Sequence, residues 1–243
     1  MNEFLLVLII AIVAAFLTYL GAPAAERFDV PHKVVSAALQ FAAGIITALV
    51  GFSLMPTAVL EGPPWGVVLA FFVGGSIFVF FEYYSAKRMA ANPIGSAEIT
   101  SLGLYFGILI DLVIDGVVIG IGSTLTLATG LLLAIGLAVS TAPLAFVTIA
   151  TAKRQGMPRE NRRILSILFF VCVMAGALLG YVLLRNQSQN LRLLLIALAS
   201  GFLITTVTQS MIPEANREGE PSFAGVFFVG GLALYALFTV YVK

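Results

Sequence analysis

Apolar residues recur along this chain in eight long runs separated by short polar stretches. The runs cover residues 4–22, 34–60, 65–81, 100–121, 125–151, 164–184, 191–212 and 223–242. None alternates with the period of two that a half-buried strand shows, and most are about 20 residues long. At 1.5 Å rise per residue such a run crosses a hydrocarbon core of about 30 Å as an α-helix. Only helices and closed barrels satisfy the backbone in lipid, so the pattern predicts an all-α integral membrane protein of eight transmembrane helices, organised as one domain over residues 1–243.

Composition agrees. Of 243 residues 60% are hydrophobic and 10% charged, and the mean hydropathy is +1.06; soluble domains carry about 25% charged residues. The partner this composition implies is the lipid bilayer. A basic patch of the kind nucleic acid requires is absent, which excludes that partner class. The N-terminal segment ends in Ala22-Pro23-Ala24, a mimic of a signal cleavage site, yet it has Glu3 and no Lys or Arg before an over-long apolar stretch; it is expected to remain as the first helix. Cys172, the single cysteine, permits neither an intrachain disulfide nor a thiolate zinc site.

Orientation follows from the 13 Lys and Arg. Ten fall after the odd-numbered helices: Arg27, Lys33, Lys87, Arg88, Lys153, Arg154, Arg159, Arg162, Arg163 and Arg217. Only Arg185, Arg192 and Lys243 fall on the other side. Positive residues are retained in cytoplasmic loops, so both termini are expected outside the cytoplasm, in a plasma or inner membrane.

An internal match accompanies the helices. GIITALVGFSLMP from Gly44 aligns with GFLITTVTQSMIP from Gly201 at an offset of 157, and FFVGG recurs from Phe71 to Phe227 at an offset of 156. Helices two and three thereby pair with seven and eight, and by extension one with six. Helices two and seven cross in opposite directions, so the expected plan is a 3+2+3 inverted repeat, residues 1–81 with 164–243 around a central pair over 100–151. Such repeats mark secondary transporters, with substrate bound near the midplane. Alternatively, both copies are glycine-rich packing helices.

Asp111 and Asp115 lie inside the fourth run. A carboxylate near the bilayer centre costs about 2.5 to 3.5 kcal/mol, which confines it to the bundle interior or to water. Their i, i+4 spacing sets them about 6 Å apart on one stripe, within reach of a shared cation. Gly116 and Gly120 would admit a neighbouring helix. The competing reading makes Asp115 a hydrogen-bonding tie between helices and Asp111 a protonated acid. In the fifth run Ser140, Thr141 and Pro143 offer hydroxyls and a carbonyl freed by the proline, all oxygen ligands, or alternatively a packing kink. Thr205, Thr206, Thr208, Gln209 and Ser210 on helix seven, with Thr47, Ser53 and Thr57 on helix two, could line a path or simply bond their own backbones. Glu214 is placed at the cytoplasmic boundary as an entrance or gate residue. His32 with Asp29 is read as an interfacial cap ahead of a metal-release site.

The pattern DLVIDGVVIGIG from Asp111 resembles the fourth-helix signature of the ZIP family of zinc and iron permeases, in which a His is followed four positions later by an acid and then Gly. The helix count, the Pro in helix five and MIPEA at 211–215 are also similar to that family, across almost the whole chain. The resemblance implies a divalent metal cation as transported substrate, moved toward the cytoplasm, with no permanently bound cofactor. It implies Asp111, Asp115, Ser140 and Thr141 as metal ligands, Gln209, Thr208, Glu214 and Thr57 along the pathway, and helices one, four, five and six moving against two, three, seven and eight. The chain departs from the family at the site: Asp111 replaces His, Leu112 an Asn or Asp, Leu144 a Glu, and helix six has no acid. A two-metal site is therefore lost, and the remaining oxygen set suits a hard or borderline ion, Mn or Fe ahead of Zn. Rival readings are a proton-coupled permease for a non-metal solute and a non-transporting membrane protein that binds partners. No GxxxxGK[ST] loop or catalytic constellation is present, so neither nucleotide hydrolysis nor enzymatic activity is expected. Glycine-rich stripes are compatible with a homodimer.

Overall fold

A computed structural model describes residues 3–28, 31–90, 96–217 and 223–241. Among them the chain is all-helical, with eight helices long and apolar enough to cross a membrane. They are α1 (Glu3–Arg27), α2 (His32–Leu49, continuing through Val50–Leu54 into Met55–Glu61), α3 (Pro64–Ala90), α4 (Ser96–Leu125), α5 (Leu127–Arg154), α6 (Arg159–Leu184), α7 (Gln189–Thr206, continuing through Val207–Met211 into Ile212–Ala215) and α8 (Ala224–Tyr241).

Local chemistry sets the ends. Thr126 caps α5 by accepting from the Thr129 amide at 3.0 Å, and Ser188 caps α7 by accepting from Leu191 at 3.4 Å. Prolines precede α2, α3 and α6, where a missing N–H is harmless. At the end of α5, Gly156 takes φ +79°, with its N–H on the Lys153 carbonyl and the Met157 N–H on Ala152. This is a glycine-dependent Schellman stop that turns the chain into α6.

Two interruptions were not expected from periodicity. Val50–Leu54 in α2 and Val207–Met211 in α7 are π-helical. Each is followed two residues after its end by a proline, Pro56 or Pro213. A proline ring clashes with the carbonyl four residues back and lacks a donor, and a widened turn ahead of it relieves both problems.

Packing divides the helices into two groups. In one, α4 packs on α6, α1 on α5, α4 on α5 and α1 on α6; in the other, α3 packs on α7, α8 on α2, and α2 on α7. The main junction between the groups is α2 against α5. Glycines make the tightest contacts. A Cβ on Gly44 would lie 2.0 Å from the Phe228 carbonyl oxygen, and one on Gly201 would lie 1.9 Å from that of Phe71. A Cβ on Gly231 would likewise lie 2.1 Å from the Phe41 carbonyl oxygen, and one on Gly74 1.8 Å from that of Leu198. In each pair the two contacts are related by 157 positions, Gly44 to Gly201 and Phe71 to Phe228 in one, Gly74 to Gly231 and Phe41 to Leu198 in the other. The π-helical stretches share that spacing, so contact register is uniform at 157, and the FFVGG match at 156 is one residue out of structural register. Between α4 and α6 the contacts are reciprocal, Gly116 and Gly120 against the carbonyls of Val173 and Ala177, and Gly176 and Gly180 against those of Val113 and Val117.

The helix cores stand where the apolar runs do, but the helices outlast them. α3 continues from Phe81 to Ala90, and α4 begins at Ser96. Asp29 and the side chain of His32 lie outside the described residues, so the capping reading is not addressed.

These contacts predict a contrast between two glycines of the same bundle. Gly201→Ala forces α3 and α7 apart and is expected to lower stability by about 1 to 3 kcal/mol. Gly51→Ala, with nothing within 4 Å of the added methyl, is expected to be neutral or stabilising by about 0.4 to 1 kcal/mol. Thermal unfolding of the detergent-solubilised variants checks both, and equal melting temperatures would contradict the packing described.

Candidate functional site

The site centres on α4, which is enclosed by α6, α5 and α1 with α7 at its side. That enclosure keeps two carboxylates out of lipid. Asp111 is 7% exposed and Asp115 2%, one helical turn apart. The Thr206 hydroxyl of α7 donates to Asp111 Oδ1 at 3.3 Å and also lies 3.2 Å from the Phe202 carbonyl of its own helix. Asp115 is different: both of its carboxylate oxygens are buried and neither has a hydrogen-bond partner.

A buried carboxylate with no donors is one of the least favourable groups a protein can hold. Its charge must be neutralised by a proton or by a cation, because no dipole is aimed at it. Gly116 follows immediately and brings the α6 backbone against α4, so the turn carrying Asp115 is held rigidly by the helix pair.

Ser140 and Thr141 are buried on α5, at 0% and 3% exposure, but their protons are directed elsewhere. Ser140 Oγ donates to the Leu137 carbonyl at 2.8 Å. Thr141 Oγ1 lies 2.8 Å from the same carbonyl and 2.8 Å from Thr18 Oγ1 of α1. Thr141 thus ties α1 to α5, the turn before Pro143, which sits inside an unbroken α5. Among the described residues no side-chain hydrogen bond joins Ser140 or Thr141 to either aspartate. A hydroxyl that donates its proton still presents lone pairs, the form in which it ligates a cation.

The other predicted positions separate. Thr208 and Gln209 are on the exposed side of α7, and Thr208 bonds the carbonyls of Ile204 and Thr205 at 3.1 Å each. With Thr206 turned inward, residues two and three positions on face away from α4. Thr57 is half-buried and donates to Ser53 of its own helix at 2.9 Å. Glu214 lies 3.6 Å from Arg217 and lines a chamber of about 510 Å³ between α1, α2, α5 and the end of α7. Sequence reasoning placed Thr206 only among a run of polar residues; nothing in that run distinguishes it from Thr205 or Thr208. Thr18 carried a signal as the one Ser or Thr of α1.

Comparison of the chain with protein-family models and with curated proteins returned no match.

The unpartnered carboxylate has a measurable signature. Removing it in Asp115→Ala is expected to raise the stability of the ligand-free protein by about 1 to 3 kcal/mol, the penalty typical of a buried unsatisfied polar group. A lower melting temperature in detergent would show that Asp115 is satisfied after all.

Proposed function

We propose that the protein is a secondary transporter of a divalent metal cation, with Asp111 and Asp115 as the principal ligands. The observation that carries this reading is Asp115, whose two oxygens are buried without a donor one turn from a second carboxylate. A cation between the two would neutralise both, and hydroxyl lone pairs of Ser140, Thr141 or Thr206 could complete an oxygen shell. Such a shell favours Mn or Fe over Zn.

The rest of the fold supports carriage over static binding. Contacts at a uniform spacing of 157 residues relate α2 and α3 to α7 and α8. Four crossings lie between α2 and α7, so the related segments would run in opposite directions, as the 3+2+3 inverted repeat of a carrier requires. The two packing groups coincide with the division that resemblance to the ZIP permeases implies, α1, α4, α5 and α6 moving against α2, α3, α7 and α8. In that mechanism the ion reaches the aspartates from outside, displaces their protons, and leaves toward the chamber at the basic end of the bundle once the groups rock about the α2–α5 junction. The membrane is a plasma or inner membrane with both termini on the outer side.

A second reading has its own observation. Among the described residues no three His, Cys, Asp or Glu side chains are grouped to hold a metal, which favours a proton-coupled permease in which the aspartates carry protons for a non-metal solute.

Purified protein in liposomes, offered Mn, Fe, Zn, Cd, Co, Mg and Ca in turn, decides between them. The metal reading expects saturable, chelator-sensitive uptake that Asp111→Asn and Asp115→Asn each abolish. Thr206→Val, which loses the hydroxyl bonded to Asp111, is expected to weaken apparent affinity about tenfold. The transported ion should also raise the melting temperature of the wild type, by an amount equivalent to about 2.7 kcal/mol at 100 times its Kd, and leave Asp115→Asn unmoved. Folded protein that passes none of the ions overturns the metal reading in favour of protons.

A further inference from the structure

Packing sets α1, α4, α5 and α6 apart from α2, α3, α7 and α8, and two side-chain hydrogen bonds carry α7 across to α4. One is the bond from Thr206 to Asp111. The other comes from Arg192, near the start of α7, whose Nη1 donates at 2.8 Å to the Thr124 carbonyl in the last turn of α4. The two contacts are 13 positions apart on α4 and 14 on α7, counted in opposite senses. Both therefore belong to one antiparallel contact line about 20 Å long, with the aspartates at one end and Arg192 at the other.

Arg192 is well held for such a contact. Its Nε and Nη2 both donate to the Gln187 carbonyl, at 3.2 and 2.9 Å, which fixes the planar fork and leaves Nη1 to reach α4. The acceptor on α4 is one of the carbonyls that a helix end leaves without an intrahelical donor, and α4 has no basic residue in its own last turn. A cation is favoured at that negative end of the helix dipole, and a hydrogen bond from a guanidinium is about twice as strong as a neutral one.

The two ends of the bundle differ. At the end away from Arg192, the chamber of about 510 Å³ is lined by Ala25 and Phe146 from one group and by Leu39 and Glu214 from the other, and Arg154 and Arg217 on its lining are exposed. Towards the end where α7 begins, Ile121 of α4, Leu133 of α5, and Leu193 and Ile196 of α7 are all buried. The groups stand apart at the chamber and meet at Arg192.

We infer that Arg192 is a latch. Its bond to the Thr124 carbonyl keeps the end of the bundle opposite the chamber shut, and its release lets that end open while the chamber closes about the α2–α5 junction. The inference rests on the carrier reading above, since a carrier has to open its two ends in turn.

Distances between nitroxide pairs, measured by pulsed electron spin resonance on full-length protein in detergent and on a Cys172→Ala background, test the latch. One pair spans the Arg192 end, Ala128→Cys of α5 with Asn190→Cys of α7; the other spans the chamber end, Arg154→Cys of α5 with Val34→Cys of α2, all at exposed positions. With Arg192 intact, the closed distance should dominate at its own end. Arg192→Gln should raise the ratio of open to closed molecules there about tenfold or more, the weight of one charge-assisted hydrogen bond, and shorten the distance across the chamber. Arg185→Gln, which removes an exposed cation just past α6 at the same end, should change neither distance. Unchanged distances in Arg192→Gln overturn the latch; so does lengthening at the Arg192 end without shortening at the chamber, or an equal response to Arg185→Gln. A predominantly open Arg192 end with Arg192 in place also overturns it, so poor folding of Arg192→Gln does not shelter the proposal. No ion enters these measurements: a lack of uptake in liposomes would sink the carrier reading, whereas the latch stands or falls on the two distances.

Discussion

Helices in hydrocarbon gain nothing from hiding apolar surface, because the lipid is as apolar as they are; what holds them together is how closely their backbones approach. In this protein that approach is set by glycines that receive a carbonyl of the facing helix where a Cβ would otherwise stand. Gly44, Gly74, Gly201 and Gly231 fasten α2 to α8 and α3 to α7, and the glycine ladder of α4 and α6 fastens the other group. Everything polar depends on this framework. Asp115 is buried without a hydrogen-bond partner on the turn that Gly116 presses against α6.

The framework also sorts the polar residues by what they can do. Hydroxyls in a membrane helix have a default partner in the carbonyl one turn back, and most here take it: Ser140, Thr57, Thr148, Ser166, Ser200 and Thr205 all bond their own helices. Two reach further. Thr206 turns toward Asp111 and Thr18 toward Thr141, so that in the group holding the aspartates these hydroxyls join one helix to another through more than van der Waals contact.

Much of this was legible from the chain and some was not. Eight apolar runs are enough to give eight helices, since hydropathy measures the thickness of lipid that must be crossed. Hydropathy does not mark where a helix stops, which is why α3 continues past Phe81 through Glu82, Tyr83 and Tyr84 as hydrogen bonds carry it out of the apolar layer. The burial of Asp111 and Asp115 was legible because a charge in such a run has nowhere else to go. The direction of Ser140, Thr141, Thr208 and Gln209 was not, since each can bond its own backbone and each type is tolerated on either face. The FFVGG match also misled by one residue: similarity of letters favoured 156, whereas the carbonyl contacts, which respond only to geometry, keep 157.

The π-helical stretches in α2 and α7 hold one residue more per turn than the helix on either side. An α-helix that loses a residue rotates everything beyond the deletion by about 100° and, in a bundle, usually ruins the packing on one side of the cut. These two stretches are different, because a deletion within them can be absorbed by tightening the wide turn into an ordinary one. What would change is the azimuth of the short segment downstream, carrying Pro56 in one helix and Pro213 in the other. Length variation among related chains, wherever it falls inside a membrane-crossing segment of this bundle, therefore has two natural addresses, and one of them begins directly after Thr206 in α7.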